Sequence, residues 1–413
     1  MVVHILYIHQ HFATNDNAGG TRSYDYARYL VKAGHRVTVL SGRYASSVGR
    51  NGIFPKLLEC SSVENIDIIS VGIPYANRMS YINRVASFIS FSTVSSIFSL
   101  LLPGIDVIYA TSTPLTVGIP ALAARILRGR RYVFEVRDLW PEVPVALGVL
   151  KNPLLIRTVK IAEHLFYRYA EIIVSISRGI NDRLETDGVS NEKTAVIYTG
   201  VDLDLYDSTE SDRGFLAGLG IKDHFIVVYA GAISTVNRVD YILDVAKILR
   251  NEEKITFLIV GDGRDRSRLE DNGKTLGLSN TVFTGPIPKR KLVGILKACH
   301  VGINSVLPMD VFRPVMPNKL FDYLAAGLPV LSNHPAELTS HLEEYGCGYE
   351  VSSDEPGEMA QRILELMDNP EMQKRMSRKA RTLAEDRFDR KKLATELNNI
   401  IICATMSSTD VPR

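Results

Sequence analysis

Cysteine is scarce in this 413-residue sequence, and the few cysteines show no paired spacing. They are Cys60, Cys299, Cys347 and Cys403. This pattern argues against a zinc cluster and fits a reducing compartment. The formal net charge is only +2, so the charge balance gives no indication of a nucleic-acid partner.

A secretion signal and a dinucleotide fingerprint are also missing. Residues 1–8 show no basic region followed by an apolar helix and a cleavage site, so they indicate a strand rather than a signal peptide. We therefore expect a cytoplasmic protein. The pattern G-x-G-x-x-G does not follow the first strand, so a dinucleotide cofactor is unsupported and we expect no resident cofactor.

What is present is the composition of a soluble globular protein, with 46% apolar and 23% charged residues. The length predicts two or three domains. A strand at 2–8, a helix at 24–33 and a strand at 36–41 form a βαβ unit. Further strands are predicted at 66–71, 106–110, 132–136, 172–176 and 195–197. The first half is therefore predicted to be a doubly wound parallel sheet.

The loop after the first strand contains Gly19 and Gly20, followed by Arg22. Two glycines allow the backbone to approach a ligand closely, and the start of the following helix favours an anion. We assign these three residues to a phosphate loop, and the resemblance described below implies that this loop could instead serve an acceptor.

The second half repeats the alternation of strands and helices. Its strands are predicted at 225–231, 255–260, 281–284, 301–305 and from Pro329 onward, and helices at 239–249, 266–276 and 291–299. A loop rich in Asp and Ser at 202–222 joins the halves, and helical patterns continue from 358 to 401. The sequence thus predicts two Rossmann-like α/β halves.

The stretch 317–332 combines a short helix, a tight turn and an apolar strand. Asn318 is predicted to cap the helix, whose N-terminus, with the cation of Lys319, suits an anion. Asp322, one turn on, can accept a hydroxyl beside that anion. Together they suggest a nucleotide ribose-diphosphate, although an ordinary αβ unit with a surface Lys–Asp pair fits the same residues.

The segment 85–105 has no charged residue and is long enough for a transmembrane helix. Four serines at helical spacing give it one polar face: Ser92, Ser95, Ser96 and Ser99. An amphipathic helix of the first domain is therefore favoured, preceded by Arg78 and Arg84. It either packs inward or lies in a membrane interface, and both arrangements stay open.

Several motifs together resemble the GT-B glycosyltransferases of family 4. They are the Gly-Gly loop, the run Val-Ile-Tyr-Thr-Gly-Val-Asp at 196–202, and Lys-Leu-Phe-Asp-Tyr-Leu-Ala-Ala-Gly-Leu-Pro-Val at 319–330. The run Val-Arg-Asp-Leu-Trp-Pro-Glu at 136–142 is similar to the WbuB-like branch, which adds N-acetylated amino-sugars during O-antigen or capsule assembly. The resemblance covers nearly the whole chain.

The resemblance implies two Rossmann-like domains that face each other across a cleft. Residues 1–204 would hold the acceptor and residues 205–385 the nucleotide-sugar donor, with a C-terminal helix at about 386–405 packing back on the first domain. In the family, the loop after the first strand of the second domain meets the donor phosphates. Here that loop is 231–239, where Arg238-Val239 replaces the family's Lys-Gly pair.

The same resemblance implies a set of donor-binding residues in the second domain: Gly231, Arg238, Gly263, Gly285, Ile287, Asn318, Lys319 and Asp322. An alternative for Arg238 is a solvated side chain at a helix start. The family's Glu-x7-Glu motif is half present, because Asp322 matches its second acid and Pro314 stands at its first. The sugar hydroxyls are therefore expected to meet backbone N–H groups around 315–319.

For the catalytic side, the resemblance points to the run at 136–142. Arg137 stands where the family often has His, so Asp138 or Glu142 becomes the candidate base, with His11 and His9 as further options. Asp138 could equally be a strand-end carboxylate paired with Arg137. The leaving phosphate could itself take the acceptor proton. Metal is not expected, because a pair of carboxylates at 202 and 204 makes a poor divalent site.

The implied function is retaining transfer of a sugar from a UDP-linked donor to a lipid-linked or other glycan acceptor, in cell-surface polysaccharide biosynthesis. Two alternatives remain: a UDP-sugar epimerase of the same architecture, and a non-catalytic sugar-nucleotide-binding subunit. Residues 78–102 are the expected peripheral contact with the inner face of the plasma membrane.

Overall fold

The computed structural model describes residues 1–44, 58–75 and 79–406. Contacts divide the chain into two compact units. The first unit comprises residues 1–13, 20–198 and 391–413, and the second comprises 14–19 and 199–390. Each unit has its own sheet and its own apolar core.

The first unit is built on an eight-stranded sheet. Its strands are β1 (His4–Ile8), β2 (Arg36–Tyr44), β3 (Leu58–Val63), β4 (Ile66–Tyr75), β5 (Val107–Thr111), β6 (Arg131–Val136), β7 (Ile172–Ser175) and β8 (Thr194–Val196). Their order is β3-β4-β2-β1-β5-β6-β7-β8. All neighbours are parallel except β3 and β4, which form an antiparallel pair that the sequence did not predict.

Six helices follow the strands of this sheet: α1 (Arg22–Lys32), α2 (Tyr81–Leu101), α3 (Gly118–Arg128), α4 (Glu142–Ala146), α5 (Pro153–Tyr169) and α6 (Arg178–Thr186). Side chains alternate between the two faces of each strand. In β1, Ile5 and Tyr7 pack with α1, whereas Leu6 and Ile8 join the core that includes α2, α3 and α5. The first unit thus has helices on both faces of its sheet.

The second unit has a six-stranded parallel sheet. It contains β9 (Phe225–Ala230), β10 (Ile255–Val260), β11 (Thr281–Gly285), β12 (Val301–Asn304), β13 (Val330–Ser332) and β14 (Gly348–Glu350), in the order β11-β10-β9-β12-β13-β14. Its helices are α7 (Leu203–Asp207), α8 (Arg213–Gly218), α9 (Val239–Ile248), α10 (Arg266–Thr275), α11 (Lys289–Leu296), α12 (Asn318–Ala325), α13 (Glu337–Tyr345), α14 (Pro356–Asp368) and α15 (Pro370–Arg387). The predicted α/β fold with two parallel sheets is confirmed.

The last helix, α16 (Arg390–Thr405), returns the chain to the first unit. Leu397 and Ile401 are buried in the core that α1 also lines. Asn398 forms a hydrogen bond of 2.6 Å with Nε2 of His35, beside the start of β2. The helical pattern predicted from 358 to 401 therefore divides into three helices, and only the last of them lies in the first unit.

The serine face of α2 points into the protein, whereas an amphipathic helix of a soluble protein usually turns its polar face to the solvent. Ser92, Ser95 and Ser99 are buried, and Oγ of Ser92 donates to the Thr116 carbonyl at 2.8 Å. Ile89 and Ile97 are about half exposed. In the part of the chain that the structure describes, α2 is the one helix long and apolar enough to cross a membrane, and 33% of its apolar window is buried.

Each sheet reverses its strand order at one point, between β1 and β5 in the first unit and between β9 and β12 in the second. In open parallel sheets, ligands bind outside the carboxyl ends of the strands at such a switch point. The loops after these strands are therefore the places where functional residues are expected.

Candidate functional site

The loop after β9 is held against the loop after β10 by unusually close backbone contacts. A Cβ on Gly261, whose φ is +140°, would lie 1.9 Å from the Gly231 carbonyl oxygen. A Cβ on Gly263 would lie 2.1 Å from the Ile233 carbonyl oxygen. Gly263, a predicted donor-binding residue, is buried and so contributes first by allowing this backbone packing.

Arg238 ends that loop at the start of α9. Its φ is +41°, in the left-handed region that non-glycine residues rarely adopt. The side chain is 21% exposed, and its Nε lies 3.4 Å from a carboxylate oxygen of Asp240. The predicted phosphate-loop cation is therefore at the carboxyl end of β9 and partly accessible.

Lys319 reaches the same loop from the first turn of α12. Its Nζ donates to Oδ1 of Asn237 at 3.0 Å and lies 4.6 Å from the centre of the Tyr229 ring. The residue is only 6% exposed. Burial lowers the pKa of the Lys319 ammonium to about 7, because its bonding partner is a neutral amide and not a carboxylate. The structure thus joins Gly231, Asn237 and Lys319 at one place.

Asp322 lies one turn beyond Lys319, as predicted, but is already engaged. Oδ1 of Asp322 accepts a hydrogen bond from the Tyr206 hydroxyl at 3.0 Å and an ion-paired hydrogen bond from Nζ of Lys289. Both bonds described for this carboxylate reach Oδ1, so Oδ2 is the atom suited to a ligand hydroxyl. Sequence reasoning missed Lys289 and Tyr206, because neither lies near Asp322 in the chain.

The remaining residues that were predicted to bind the donor differ in where they lie. Asn318 is the first residue of α12 rather than its cap, because Pro317 occupies the capping position, and its side chain is exposed. Gly285 has a φ of +82°, and its carbonyl accepts the Gly261 N–H. Ile287 is buried. Gly285 therefore lies next to the loop that contains Gly261, whereas Asn318 faces solvent at the helix start.

The switch point of the first unit collects His9, Arg137 and Asp138. Nε2 of His9, just after β1, is 3.4 Å from a guanidinium nitrogen of Arg137, just after β6. Nε of Arg137 is 3.8 Å from a carboxylate oxygen of Glu135, which corrects the alternative pairing with Asp138. The carboxylate of Asp138 instead accepts a hydrogen bond from the Thr113 hydroxyl.

Both histidines of this region are uncharged at neutral pH. Burial, together with the charge of Arg137 and the proximity of His11, lowers the pKa of His9 well below its usual range. Burial and the charges of Arg137 and Arg84 lower the pKa of His11 to about 3. An imidazole with so low a pKa is a weak base at neutral pH, so either one fits a hydrogen-bonding role better than proton abstraction.

His11 lies beside His9, with ring centres 6.1 Å apart, whereas Glu142 lies in a different contact. The ring of His11 is 4.2 Å from that of Tyr75 at the end of β4. Glu142 is the first residue of α4, where one carboxylate oxygen is 3.4 Å from Nζ of Lys160. Of the two candidate carboxylates, Asp138 lies two residues after the end of β6, the strand next to β5, and Glu142 lies at the start of α4.

Arg22 requires a correction. Instead of standing in the ligand loop, it is completely buried and its guanidinium donates to Oε2 of Glu135 at 2.9 Å. It also donates to the carbonyl oxygens of Ile197 and Tyr198. Gly19 and Gly20 remain exposed, as a ligand loop requires. Arg22 is therefore a structural cation of the first unit.

Glu135 is the buried partner that the sequence analysis passed over. Burial alone would raise its pKa, but the charges of Arg22 and Arg137 outweigh burial and hold the pKa of Glu135 below its usual value. Oε1 and Oε2 also accept hydrogen bonds from the Thr111 and Tyr109 hydroxyls, each at 2.5 Å. A lone acid within the apolar run 132–136 of β6 was the signal that could have revealed it.

Comparison with known families gives two matches. Residues 17–200 match a family described as "Glycosyl transferase 4-like domain", and residues 216–383 match "Glycosyl transferases group 1". Together the two matches cover most of the chain and meet near the join between the units.

Among curated relatives, the chain is 22% identical over 268 residues to a protein of Pseudomonas aeruginosa named "Probable glycosyltransferase WbjE", covering 64% of the chain and 66% of that protein. It is 23% identical to TuaH of Bacillus subtilis, whose name refers to teichuronic acid biosynthesis, covering 58% of the chain and 59% of TuaH. The chain thus spans less than two thirds of the length of these relatives.

Among solved structures, the sucrose-phosphate synthase of Thermosynechococcus elongatus superimposes with a TM-score of 0.76 at 16% identity, covering 96% of this chain and 98% of that one. HepE of Anabaena, solved in complex with UDP-glucose, has a TM-score of 0.70 at 18% identity, with 97% and 99% covered. Both likenesses concern the fold, which is that of the GT-B enzymes.

Proposed function

We propose that this chain, which belongs to the GT-B glycosyltransferases, transfers a sugar from a nucleotide diphosphate donor to a saccharide acceptor in polysaccharide biosynthesis. The observation that carries the proposal is the meeting of Lys319, Asn237 and the loop after β9, with Asp322 one helical turn away. A buried cation beside N–H groups suits a diphosphate, and a carboxylate at that spacing suits a ribose.

The reaction we propose breaks the bond between the sugar's anomeric carbon and the β-phosphate oxygen, which keeps the electron pair. The acceptor hydroxyl oxygen forms the new bond on the same face, and its proton passes to the departing phosphate. Lys319, Arg238 and backbone N–H groups stabilise the negative charge that grows on the diphosphate, without a metal ion. Asp138, with neutral His9 beside Arg137, orients the acceptor.

The donor we propose is a UDP-sugar. HepE, which shares the fold, is described in complex with UDP-glucose. An N-acetylated amino-sugar is proposed from the sequence resemblance alone. Pro314 carries no acid for the sugar hydroxyls. Within 315–319, Pro317 has no N–H and the Val315 N–H donates to the Phe312 carbonyl, so the backbone N–H groups of Met316, Asn318 and Lys319 take that role. The acceptor is a lipid-linked saccharide, and the protein works on the cytoplasmic side.

Ribose recognition by Asp322 can be measured directly. Wild-type protein should bind UDP more tightly than 2′-deoxy-UDP, and Asp322→Asn should weaken UDP binding about tenfold or more and remove most of that preference, since a hydrogen bond to a charged group is lost. Titration calorimetry with both nucleotides measures the effect. Asp271→Asn, at an exposed position of α10, is the matched control. Equal preference in wild type and Asp322→Asn would exclude this role.

Turnover separates the proposal from its alternatives. With a panel of UDP-sugars, a transferase releases UDP quickly only when acceptor is added. An epimerase converts the donor without acceptor, and a binding subunit shows tight nucleotide binding without any conversion. A donor that raises the melting temperature should be identified first, because a ligand of the folded state stabilises it.

Donor binding should also take up a proton above neutral pH. Without donor, the pKa of Lys319 is about 7. A bound diphosphate favours the charged form of the side chain and therefore raises that pKa. UDP affinity should therefore fall as the pH rises above about 7, and should stay level below that value, where Lys319 is charged in both states. Calorimetry at pH 8 in buffers of different ionisation enthalpy measures the proton. Identical heats in all buffers would contradict the expectation.

A further inference from the structure

The outer surface of the first unit is unusually apolar where α2, α3 and α5 lie. More than half of the exposed large apolar side chains in the described residues are on these three helices: Tyr81, Ile82, Ile89, Ile97, Leu101, Ile119, Ile126, Leu127, Leu154, Leu155, Ile161 and Tyr169. In the described part of the second unit, only Leu219 and Ile248 are of this kind. We call the set on α2, α3 and α5 the outer apolar face.

These side chains share one direction because their helices form one layer. The inward sides of α2, α3 and α5 enter the same core, through Phe91, Ala121 and Phe166. Moreover, α2 packs on α3, and α3 packs on α5. Residues that are exposed on these helices therefore point away from the same face of the sheet, and the face is continuous over three neighbouring helices.

The serine stripe of α2 shows that this exposure is built into the sequence. Ser95 and Ser99 are completely buried, and their hydroxyl oxygens have no hydrogen-bond partner in the described structure. Small side chains on the buried side of α2 let this helix lie close to its neighbours, among which is α3. The larger apolar residues Ile89 and Ile97 are left on the outside, where water is the less favourable neighbour.

Charge on the three helices identifies the partner. They carry six basic residues against a single acid, Glu163: Arg84, Arg125, Arg128, Arg157, Lys160 and Arg168. Two of the six are paired with acids just outside the helices, Arg125 with Glu171 at 2.9 Å and Lys160 with Glu142 at 3.4 Å, so basic residues still outnumber acids by six to three. The chain as a whole is nearly balanced, with 48 basic and 46 acidic residues. Aliphatic side chains flanked by arginine and lysine match the boundary between acyl chains and anionic headgroups.

We propose that the outer apolar face docks the protein on an anionic membrane, with Ile and Leu of α2, α3 and α5 entering the headgroup region and the basic residues meeting the lipid phosphates. The docking surface is wider than the single helix that the sequence indicated. Arg78, which the sequence placed beside that helix, lies outside the described residues, and the proposal does not use it. Docking depends on the outer apolar face alone, so this proposal can hold whether or not the proposed sugar transfer is correct.

Flotation with liposomes tests the proposal. The full chain should float with phosphatidylcholine vesicles that contain 30% phosphatidylglycerol, bind pure phosphatidylcholine weakly, and lose binding in high salt as the charges are screened. Substituting Ile97→Ser, Leu127→Ser and Leu154→Ser together should lower the partition coefficient by at least about a hundredfold, since each apolar side chain contributes on the order of tenfold.

Matched variants separate docking from general stickiness. Leu219→Ser with Ile248→Ser, at the exposed apolar positions of the second unit, should leave flotation unchanged. Arg128→Gln and Arg157→Gln should each weaken binding to anionic vesicles about fivefold and leave binding to neutral vesicles unchanged. UDP binding should be the same in all these variants, so failure of docking is distinguishable from failure of the proposed function.

Three results would overturn the proposal. Wild-type protein could fail to float with anionic vesicles, or the triple serine variant could float as well as wild type. Light scattering could also show a dimer that the triple serine variant dissociates, which would assign the face to a second copy of the chain. Unchanged far-ultraviolet circular dichroism and melting temperature confirm that each variant is folded.

Discussion

Replacing Lys319 with methionine should reduce turnover by about 100-fold to 1,000-fold, the usual effect of removing one preorganised donor from a reacting oxyanion. UDP affinity should fall by about 10-fold to 100-fold, because one hydrogen bond to a charged group is lost. Methionine keeps the length of the side chain and its contact with the Tyr229 ring but cannot donate to a diphosphate. Calorimetry with UDP and a UDP-release assay measure the two effects.

The same substitution should not weaken the folded protein. The pKa of Lys319 is lowered to about 7, so between that value and 10.5 the unfolded chain holds a proton that the folded chain has given up. Folding is disfavoured by this group at neutral pH, and stability rises with pH across that window. Lys319→Met should therefore have an unfolding free energy equal to or above that of wild type at pH 7.

A surface lysine provides the control. Lys274 on α10 is 72% exposed and lies within 4 Å of two carboxylates, so Lys274→Met should leave both UDP binding and turnover unchanged. If Lys319→Met bound UDP as tightly as wild type, the buried amine would have no part in holding the donor, and the proposed site would be wrong.

The second large effect concerns stability. Arg22→Met should lower the free energy of unfolding by about 3–5 kcal/mol, because the Glu135 carboxylate would remain buried without its main cation. Urea denaturation followed by far-ultraviolet circular dichroism measures the change. Arg36→Met is the matched control: its pair with Asp67, at 3.3 Å, is more than half exposed on the arginine side, so less than about 1 kcal/mol is expected.

A second substitution and the pH dependence identify the cause. Glu135→Gln in the Arg22→Met background should restore part of the lost stability, since the uncompensated charge is gone. In wild type the pKa of Glu135 is lowered, so its contribution is present above about pH 4.5 and lost below. Without Arg22, burial raises that pKa, and the stability gap to wild type should narrow as the pH falls toward 5. A constant gap would show that lost packing, not charge, is responsible.

Arg22 also shows where sequence reasoning fails. A charged residue beside two glycines at a strand-to-helix turn is typical of an anion site. Its actual partner, Glu135, is 113 residues away in β6, and no spacing rule connects the two. The same holds for Asp322, whose partner Lys289 is 33 residues earlier. Pairing of charges across a fold depends on tertiary packing, which the local pattern does not contain.

The buried strands were predictable because both faces of a parallel sheet are covered, which requires continuous apolar runs. Strand β10 is such a run and is completely buried. The two missed strands lie at sheet edges. Most of β3 is exposed, so it lacks the apolar signal, and β14 contains only three residues. The orientation of α2 was unpredictable for a related reason: periodicity locates two faces of a helix but does not say which one meets the protein.

The path of the chain between the units has a consequence for how the protein folds while it is being translated. Residues 14–19 belong to the second unit, where the Asn17 carbonyl accepts the Lys289 N–H at 3.1 Å, and residues from 391 onward complete the first. A ribosome that has made only residues 1–198 has therefore exposed a first unit without α16, whose Leu397 and Ile401 fill its core. During translation, that open core is a target for chaperones until residue 405 has emerged from the ribosome. Because each unit contains segments from two parts of the chain, dividing the gene at one point yields neither unit intact.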